Sequence, residues 1–163
     1  MSVSRRLAAG VAVLVLMGMG AAGCGTGGRC GPEKGVVDQV LDGDTIQLRS
    51  GERIRYLMVD APETSGTPEC YGPEARDFNR QLVVEREVTL RYDQECEDRF
   101  GRLLAYVSVD GREVNTTLVQ RGYACVLHIP PNGDDRAEEF EALEDAAKAE
   151  SRGLWGYCSP RPC

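Results

Sequence analysis

Residues 36–60 hold three short runs of strand-forming residues joined by two tight turns, a spacing that antiparallel neighbours satisfy and a parallel crossover cannot. Residues 36–41 are rich in Val, and Asp42-Gly43-Asp44 is a turn signal. Residues 45–49 alternate polar and apolar, as a half-buried strand does, and Ser50-Gly51 fits a two-residue hairpin. Residues 53–59 read as a third strand ending at Asp60, followed by a loop with two prolines. Gly72-Pro73-Glu74 opens a helix, because Pro suits a first turn and an acid suits the positive helix N-terminus. Its apolar face is Ala75, Phe78, Leu82 and Val83. A fourth strand over residues 88–92, an acidic loop over 93–101 and a fifth strand over 102–109 follow. Asn115 is expected to cap a short helix running through Gln120. Residues 123–129 are extended. Asp134 or Asp135 caps a last helix reaching about Ser151, with Phe140, Leu143 and Ala147 as its core stripe. Its other face is acidic, the pattern of a solvated surface. The class is mainly β with three α-helices, a small closed barrel; the five-stranded OB type is one such architecture.

The chain has 163 residues, enough for one domain. Its first 23 read as a leader: Arg5 and Arg6, then an uncharged apolar run over residues 7–19 that is too short to span a bilayer comfortably. Gly20-Ala21-Ala22-Gly23-Cys24 resembles a bacterial lipobox, with Ala21 standing where that pattern usually has Leu. Cys24 is therefore the expected lipidation site, and the chain is expected to be exported, as a membrane-anchored lipoprotein or as a secreted or periplasmic protein. The Gly-rich residues 24–35 read as a tether, 36–158 as the domain and 159–163 as a tail. Without the leader, 17 of the 19 bases and all 26 acids remain, a balance of −9. Behind Cys24 stand six cysteines, an even number in an oxidising compartment, so up to three disulfides are expected. Their spacings contain no C-x-x-C, which argues against a zinc site.

Composition narrows the chemistry. One histidine, His128, removes metal sites built on several histidines. A net charge of −7 removes a globally basic nucleic-acid binder, so any phosphate chemistry must come from a local site. Three clusters at strand ends supply one: Asp42-Gly43-Asp44-Thr45; Arg55 with Asp60-Ala61-Pro62-Glu63-Thr64; and Asp98-Arg99-Phe100-Gly101-Arg102. Phosphodiester hydrolysis needs cations against the phosphate oxygens, hard oxygen ligands for a divalent ion, and a base for water. Asp44 and Asp60 can be ligands, Glu63 the base, and Arg55 and Arg102 the phosphate clamp.

These clusters, with Tyr71-Gly72-Pro73-Glu74-Ala75, Leu103-Leu104-Ala105-Tyr106, Val114-Asn115…Leu118-Val119…Gly122 and Gly153-Leu154-Trp155, resemble the staphylococcal nuclease family in order and spacing across about residues 36–158. No single motif decides this; the ordered set does. The resemblance implies a five-stranded OB-fold barrel and calcium-dependent cleavage of DNA and RNA by a monomer, with no protein partner implied. It puts Asp44, Asp60 and the Ala61 carbonyl on the calcium ligands, Glu63 on the proposed general base, and Arg55 and Arg102 on the phosphate-binding arginines. Arg99, Phe100 and His128 fall at or near substrate-contacting positions. There Arg99 replaces a Lys, and Phe100 and His128 stand where, or near where, the family has tyrosines. In this fold Cys70 and Cys96 lie in loops flanking the site and are the expected pair. Cys125 with Cys158 follows, which leaves Cys30 with Cys163.

Plainer readings compete at several positions. Asp42 can be only a turn carboxylate, Arg55 only a salt-bridge partner of Asp60 or Glu63, and Glu63 only a loop stabiliser. Glu74 reads as a helix first-turn acid, and Trp155 as a packing anchor. His128 reads more readily as a rim or packing residue than as a base-stacking one. For the whole chain, the alternatives are a non-catalytic nuclease-like binding module and a disulfide-rich structural lipoprotein. A degenerate module would be expected to lose carboxylates or arginines, and here all five side chains are present.

Overall fold

The computed structural model describes residues 30–163. The expected leader, Cys24 and the first part of the tether lie outside the described residues.

Strands β1 (Lys34–Asp42), β2 (Thr45–Leu48) and β3 (Arg53–Tyr56) form the meander, with Val37 opposite Leu48 and Ile46 opposite Ile54. β5 (Glu87–Glu97) pairs with β1 and with β6 (Leu103–Val109), both antiparallel. β3 then pairs parallel with β6, Ile54 opposite Leu103 and Tyr56 opposite Ala105, which closes a five-stranded mixed barrel of the OB type. Val37, Ile46, Ile54, Val88 and Val107 are fully buried within it. Each such aliphatic side chain stabilises by about 1.5–3 kcal/mol relative to exposure. Three helices pack around the barrel: α1 (Gly72–Val83), α2 (Val114–Gln120) after the two-residue β7 (Arg112–Glu113), and α3 (Ala137–Ala149). A single helical turn, α4 (Leu154–Tyr157), carries Leu154 and Trp155 into a second small core with Cys125, Ala147 and Cys158.

Several local readings are corrected. The third strand breaks at Leu57. Tyr56, Leu57, Met58 and Val59 are all buried, so the period-2 pattern fails there, and Met58 adopts a left-handed φ of 64°. Beyond the break, β4 (Met58–Asp60) leaves the barrel and pairs with β8 (Cys125–Leu127). The acidic segment after Tyr92 is strand, not loop, to Glu97. Its pairing with β6 is irregular between Tyr92 and Glu97. The Asn132 side chain takes up the backbone there, accepting from the Glu95 N–H (2.8 Å) and donating to the Glu95 carbonyl (3.0 Å). Residues 30–33, expected within the tether, are fastened to β5. The Leu90 N–H donates to the Glu33 carbonyl (2.8 Å) and the Tyr92 hydroxyl to the Pro32 carbonyl (2.7 Å). Asp134 and Asp135 cap nothing; they lie in a 3-10 turn before α3, whose buried residues are Phe140 and Ala147, with Leu143 partly buried.

All three expected disulfides are wrong. The bonds are Cys30–Cys96, Cys70–Cys158 and Cys125–Cys163. The docking of residues 30–33 on β5 brings Cys30 to Cys96. Tyr71, beside Cys70, packs on Tyr123 and Tyr157 at ring separations of 5.4 and 5.7 Å, and this brings Cys70 to the end of α4.

Two buried asparagines hold the layers together. Asn79 of α1, missed in the apolar stripe, accepts from the Tyr56 hydroxyl (3.0 Å) and donates to the Asp42 carbonyl (3.4 Å). Asn115 is not a cap: it lies inside α2. It accepts from the Val107 N–H (2.8 Å) and donates to the Leu57 and Ala105 carbonyls (2.9 and 3.3 Å), where the pairing of β3 with β6 ends. Asn115→Leu would strand the Val107 N–H and the Leu57 carbonyl, while the Ala105 carbonyl keeps the Leu57 N–H, and each unsatisfied buried group costs about 1–3 kcal/mol. Urea denaturation should show a loss of about 2 kcal/mol or more; a loss under about 1 kcal/mol would show that these groups find other partners.

Candidate active site

The turn from β1 to β2 and the exit from β4 meet because Gly43 carries no side chain. A Cβ there would stand 2.5 Å from the Cβ of Ala61 and 3.0 Å from that of Ala75. This approach buries Asp44, which is 6% exposed. Its carboxylate accepts from the Thr45 hydroxyl (3.0 Å) and the Ala61 N–H (2.7 Å) and pairs with Arg55 (3.0 Å). Burial pushes the Asp44 carboxyl above its ordinary pKa, against the pull of Arg55 and the two hydrogen bonds.

Arg55 sits on β3, and its guanidinium bridges two carboxylates. It reaches Asp44 and, at 2.9 Å, Asp60, while also donating to the Val59 carbonyl (2.5 Å). Asp60 ends β4 and projects toward solvent. Thus Asp44, Asp60 and Arg55 are brought together as expected, and the salt-bridge reading of Arg55 is realised as well. Both carboxylates converge on one cationic group. Two carboxylates with the adjacent Ala61 carbonyl make a hard, oxygen-only donor set, which suits a divalent cation that takes its remaining ligands from water and phosphate. No group of three or more His, Cys, Asp or Glu side chains able to hold a metal occurs among the described residues.

Glu63 follows on the loop between β4 and α1. Asp42, weighed above as a turn carboxylate, links that loop to the β1–β2 turn. It accepts from the Gly43 N–H (2.8 Å) and from the hydroxyl of Thr64 (3.2 Å). Partial desolvation, then the nearby charges of Asp42 and Asp44, push the Glu63 carboxyl above its ordinary value.

Arg102 opens toward the same space from the turn between β5 and β6. Asp98 orients it, accepting from its Nε (2.7 Å) and its backbone N–H (3.0 Å), and Arg102 Nη1 points to the Thr45 hydroxyl (3.4 Å). Desolvation acts to raise the Asp98 carboxyl, but the N–H donors of Arg102 and Phe100 and the guanidinium charge outweigh it and hold it below its ordinary value. A pocket of about 330 Å³ is lined by Asp42, Asp44, Thr45, Arg53, Arg55, Glu63 and Arg102, with Leu41 and Ser65 at its edge. Arg53 was missed. It lies two residues from Arg55, so strand periodicity puts both on one face. Asp98 was noticed only as part of its cluster.

A second cavity of about 410 Å³ shares Arg55 and Arg102 with the first. Arg99 and Phe100 line it, and Phe100, 62% exposed, lies under the guanidinium groups of Arg99 and Arg102 at 4.7 and 5.5 Å. Leu127 and Ile129 line it, but His128 between them does not; its Nε2 is paired with Asp134 at 2.8 Å.

A small closed barrel of the OB type carries carboxylates and arginines together at one rim. Residues 53–157 match the family model described as staphylococcal nuclease homologue. A thermonuclease of Staphylococcus intermedius is 38% identical over 122 residues, covering 71% of this chain and 73% of that one. In Bacillus subtilis (strain 168), the endonuclease YncB and the SPbeta prophage-derived endonuclease YokF are each 36% identical over 135 residues, 77% of this chain. The chain spans 64% of the length of the first and 46% of the second. This chain belongs to the staphylococcal nuclease family.

The Asp98–Arg102 pair sets a pH signature. A carboxyl held below its unfolded value contributes stability above that value, about 3.9 for Asp. That contribution is lost as the pH falls through the lower, folded value. The stability gap between the native chain and Asp98→Asn should therefore be full at neutral pH and shrink as the pH falls below about 4. Urea melts between neutrality and pH 3 would read it; a gap that stays constant would show that the Asp98 charge is not what matters.

Proposed function

We propose that this protein is a calcium-dependent nuclease that hydrolyses phosphodiester bonds of DNA and RNA outside the cytoplasm. The observation that carries this reading is the rim pocket in which Arg55 and Arg102 stand over Asp42, Asp44 and Glu63. The two arginines supply guanidinium forks for the phosphate oxygens, with Arg102 pre-aimed by Asp98. Glu63 accepts the proton of the attacking water. Its raised proton affinity makes it a better base than a free carboxylate while leaving it at the pocket wall. Asp44, Asp60 and the Ala61 carbonyl would hold calcium. When bound, such an ion offsets the charge that develops on the phosphate oxygens. Arg99 and Phe100 flank the path of the nucleotide in the adjoining cavity.

The leader over residues 1–23 and the Cys24 motif support export with a lipid on Cys24, the domain acting as a monomer tethered to the membrane. Intact mass of membrane-extracted protein should begin at Cys24 and include acyl chains. A free amino terminus at or after residue 24 would rule out lipidation and leave export standing.

Cleavage of single-stranded DNA in calcium, and its loss in chelator, tests the activity. Glu63→Gln should lower turnover by about 10²–10⁴-fold with calcium affinity little changed. Asp44→Asn should instead weaken calcium binding, because a hard anionic ligand is lost. Arg102→Lys should lower turnover by about 10²-fold or more, since an ammonium cannot supply the planar fork. If Glu63→Gln cleaves like the native chain, the base is another group. If it loses calcium while Asp44→Asn keeps it, the two roles are exchanged.

A further inference from the structure

Eleven residues without regular structure, 61–71, separate β4 from α1 and carry Glu63. The main chain of Glu63 is nevertheless held on both sides by one residue. Its N–H donates to the Glu69 carboxylate (2.9 Å), and the Glu69 N–H donates back to the Glu63 carbonyl (2.9 Å). The reciprocal pair closes a short ring over Gly66, which takes the turn at a φ of 69°. Glu69 is in turn moored. Its carbonyl accepts from the Gly72 N–H (3.1 Å) at the start of α1, and Cys70 beside it is bonded to Cys158 in the second core. The first turn of α1 also presses on the loop, since a Cβ on Gly72 would stand 2.5 Å from the Glu63 carbonyl oxygen.

We propose that Glu69 is a positioning residue for Glu63: through its bond to the Glu63 N–H it sets where the Glu63 carboxylate stands relative to the pocket. This rests on the reading of Glu63 as the base. The charge of Glu69 argues for the role. A carboxylate bonded to the Glu63 backbone, beside the pocket, repels a polyanionic substrate, so its place in the loop is explained by the hydrogen bond it accepts, not by its charge. A loop held at one end only by Asp44 and Asp42 would leave the Glu63 side chain mobile. Misplacement of a reacting group by about 1 Å can cost about 10²-fold in rate.

The test is steady-state cleavage of a single-stranded DNA oligonucleotide in calcium by the full chain carrying Glu69→Ala, Glu69→Gln, Glu63→Gln or the Glu63→Gln/Glu69→Ala pair. Melting temperature and amide exchange at Glu63 are recorded alongside. Glu69→Ala should lower kcat by about 10–100-fold, leave KM within about twofold and release the Glu63 amide to exchange. Glu69→Gln keeps an acceptor oxygen and should stay within about fivefold of the native kcat, a neutral acceptor being weaker than a charged one. In the Glu63→Gln background, Glu69→Ala should add almost nothing, because it acts through Glu63.

A purely electrostatic surface acid predicts the opposite pattern, with KM falling equally in Glu69→Ala and Glu69→Gln and kcat unchanged. That pattern, or a kcat loss that adds in full to the Glu63→Gln loss, overturns the proposal. If Glu63→Gln alone leaves kcat intact, the base assignment fails. If Glu63→Gln is crippled while Glu69→Ala is not, the assignment of Glu63 stands and only the role of Glu69 fails.

Discussion

A single buried carboxylate organises the rim of this barrel. Asp44 is in the turn between β1 and β2, yet it binds the Ala61 N–H beyond β4 and the guanidinium of Arg55 on β3. Removing a carboxylate from water is costly, and a buried ion pair returns that only when the remaining lone pairs are also satisfied. Here the Thr45 hydroxyl and the Ala61 amide complete the set. The consequence is geometric. Three successive segments, the β1–β2 turn, β3 and the exit from β4, are drawn to one point, and the glycine at residue 43 is what lets the turn and the exit come so close. Other groups of the rim are placed relative to that point: Asp60 by sharing Arg55, Arg102 through Thr45, and Glu63 through Asp42 and Thr64.

The barrel supplies the rigidity this arrangement needs. Its closure between β3 and β6 aligns Arg55 with Leu104, two residues beyond Arg102, so the two guanidinium groups flank one space. The strand cannot continue past Tyr56 without burying both faces. The break at Leu57 releases β4 to carry Asp60 across to β8, and Asn115 satisfies the backbone groups the break exposes. The chain Tyr56–Asn79–Asp42 then locks α1 against the same rim. A site built of short strand ends is thereby held by polar bonds buried under it, where low dielectric makes each satisfied bond stronger and each unsatisfied one more costly.

What was legible in the sequence follows from this physics. The carboxylates and arginines were readable because their chemistry sits in local motifs, and a strand end is a local feature. So was the barrel, from short runs and tight turns. The break after Tyr56 was not, because a run of buried residues looks the same in a continuous strand. Asn79 and Asn115 look like a surface residue and a cap until partners from other elements are known. The disulfides were unreadable for a stronger reason. Cys70 and Cys158 are 88 residues apart, and their meeting depends on how Tyr71 packs against Tyr123 and Tyr157. Inferring the pairs from loops said to flank the site ignored that packing, and it also treated residues 30–33 as a tether when they are part of the wall of β5.

An acidic chain that is to act on a polyanion, as proposed here, must separate its charges. The net balance of −7 excludes a basic surface but not a basic pocket. Arg53, Arg55 and Arg102 line the site, and Arg99 stands in the cavity that adjoins it. The acids of α3 line neither cavity. Two of them are spent on structure: Glu139 binds Arg136, and Glu144 accepts from the Val126 N–H and pairs with Lys148. At the rim the acids are tied to donors: Asp44 and, outside the pocket lining, Asp60 to Arg55, Asp42 to Gly43 and Thr64, and Asp98 beside them to Arg102. Carboxylates so engaged cost an approaching phosphate less repulsion than free ones would, because their charge is already partly offset by the groups they hold. The same bonds that orient the arginines therefore also moderate the field that would otherwise oppose the proposed substrate.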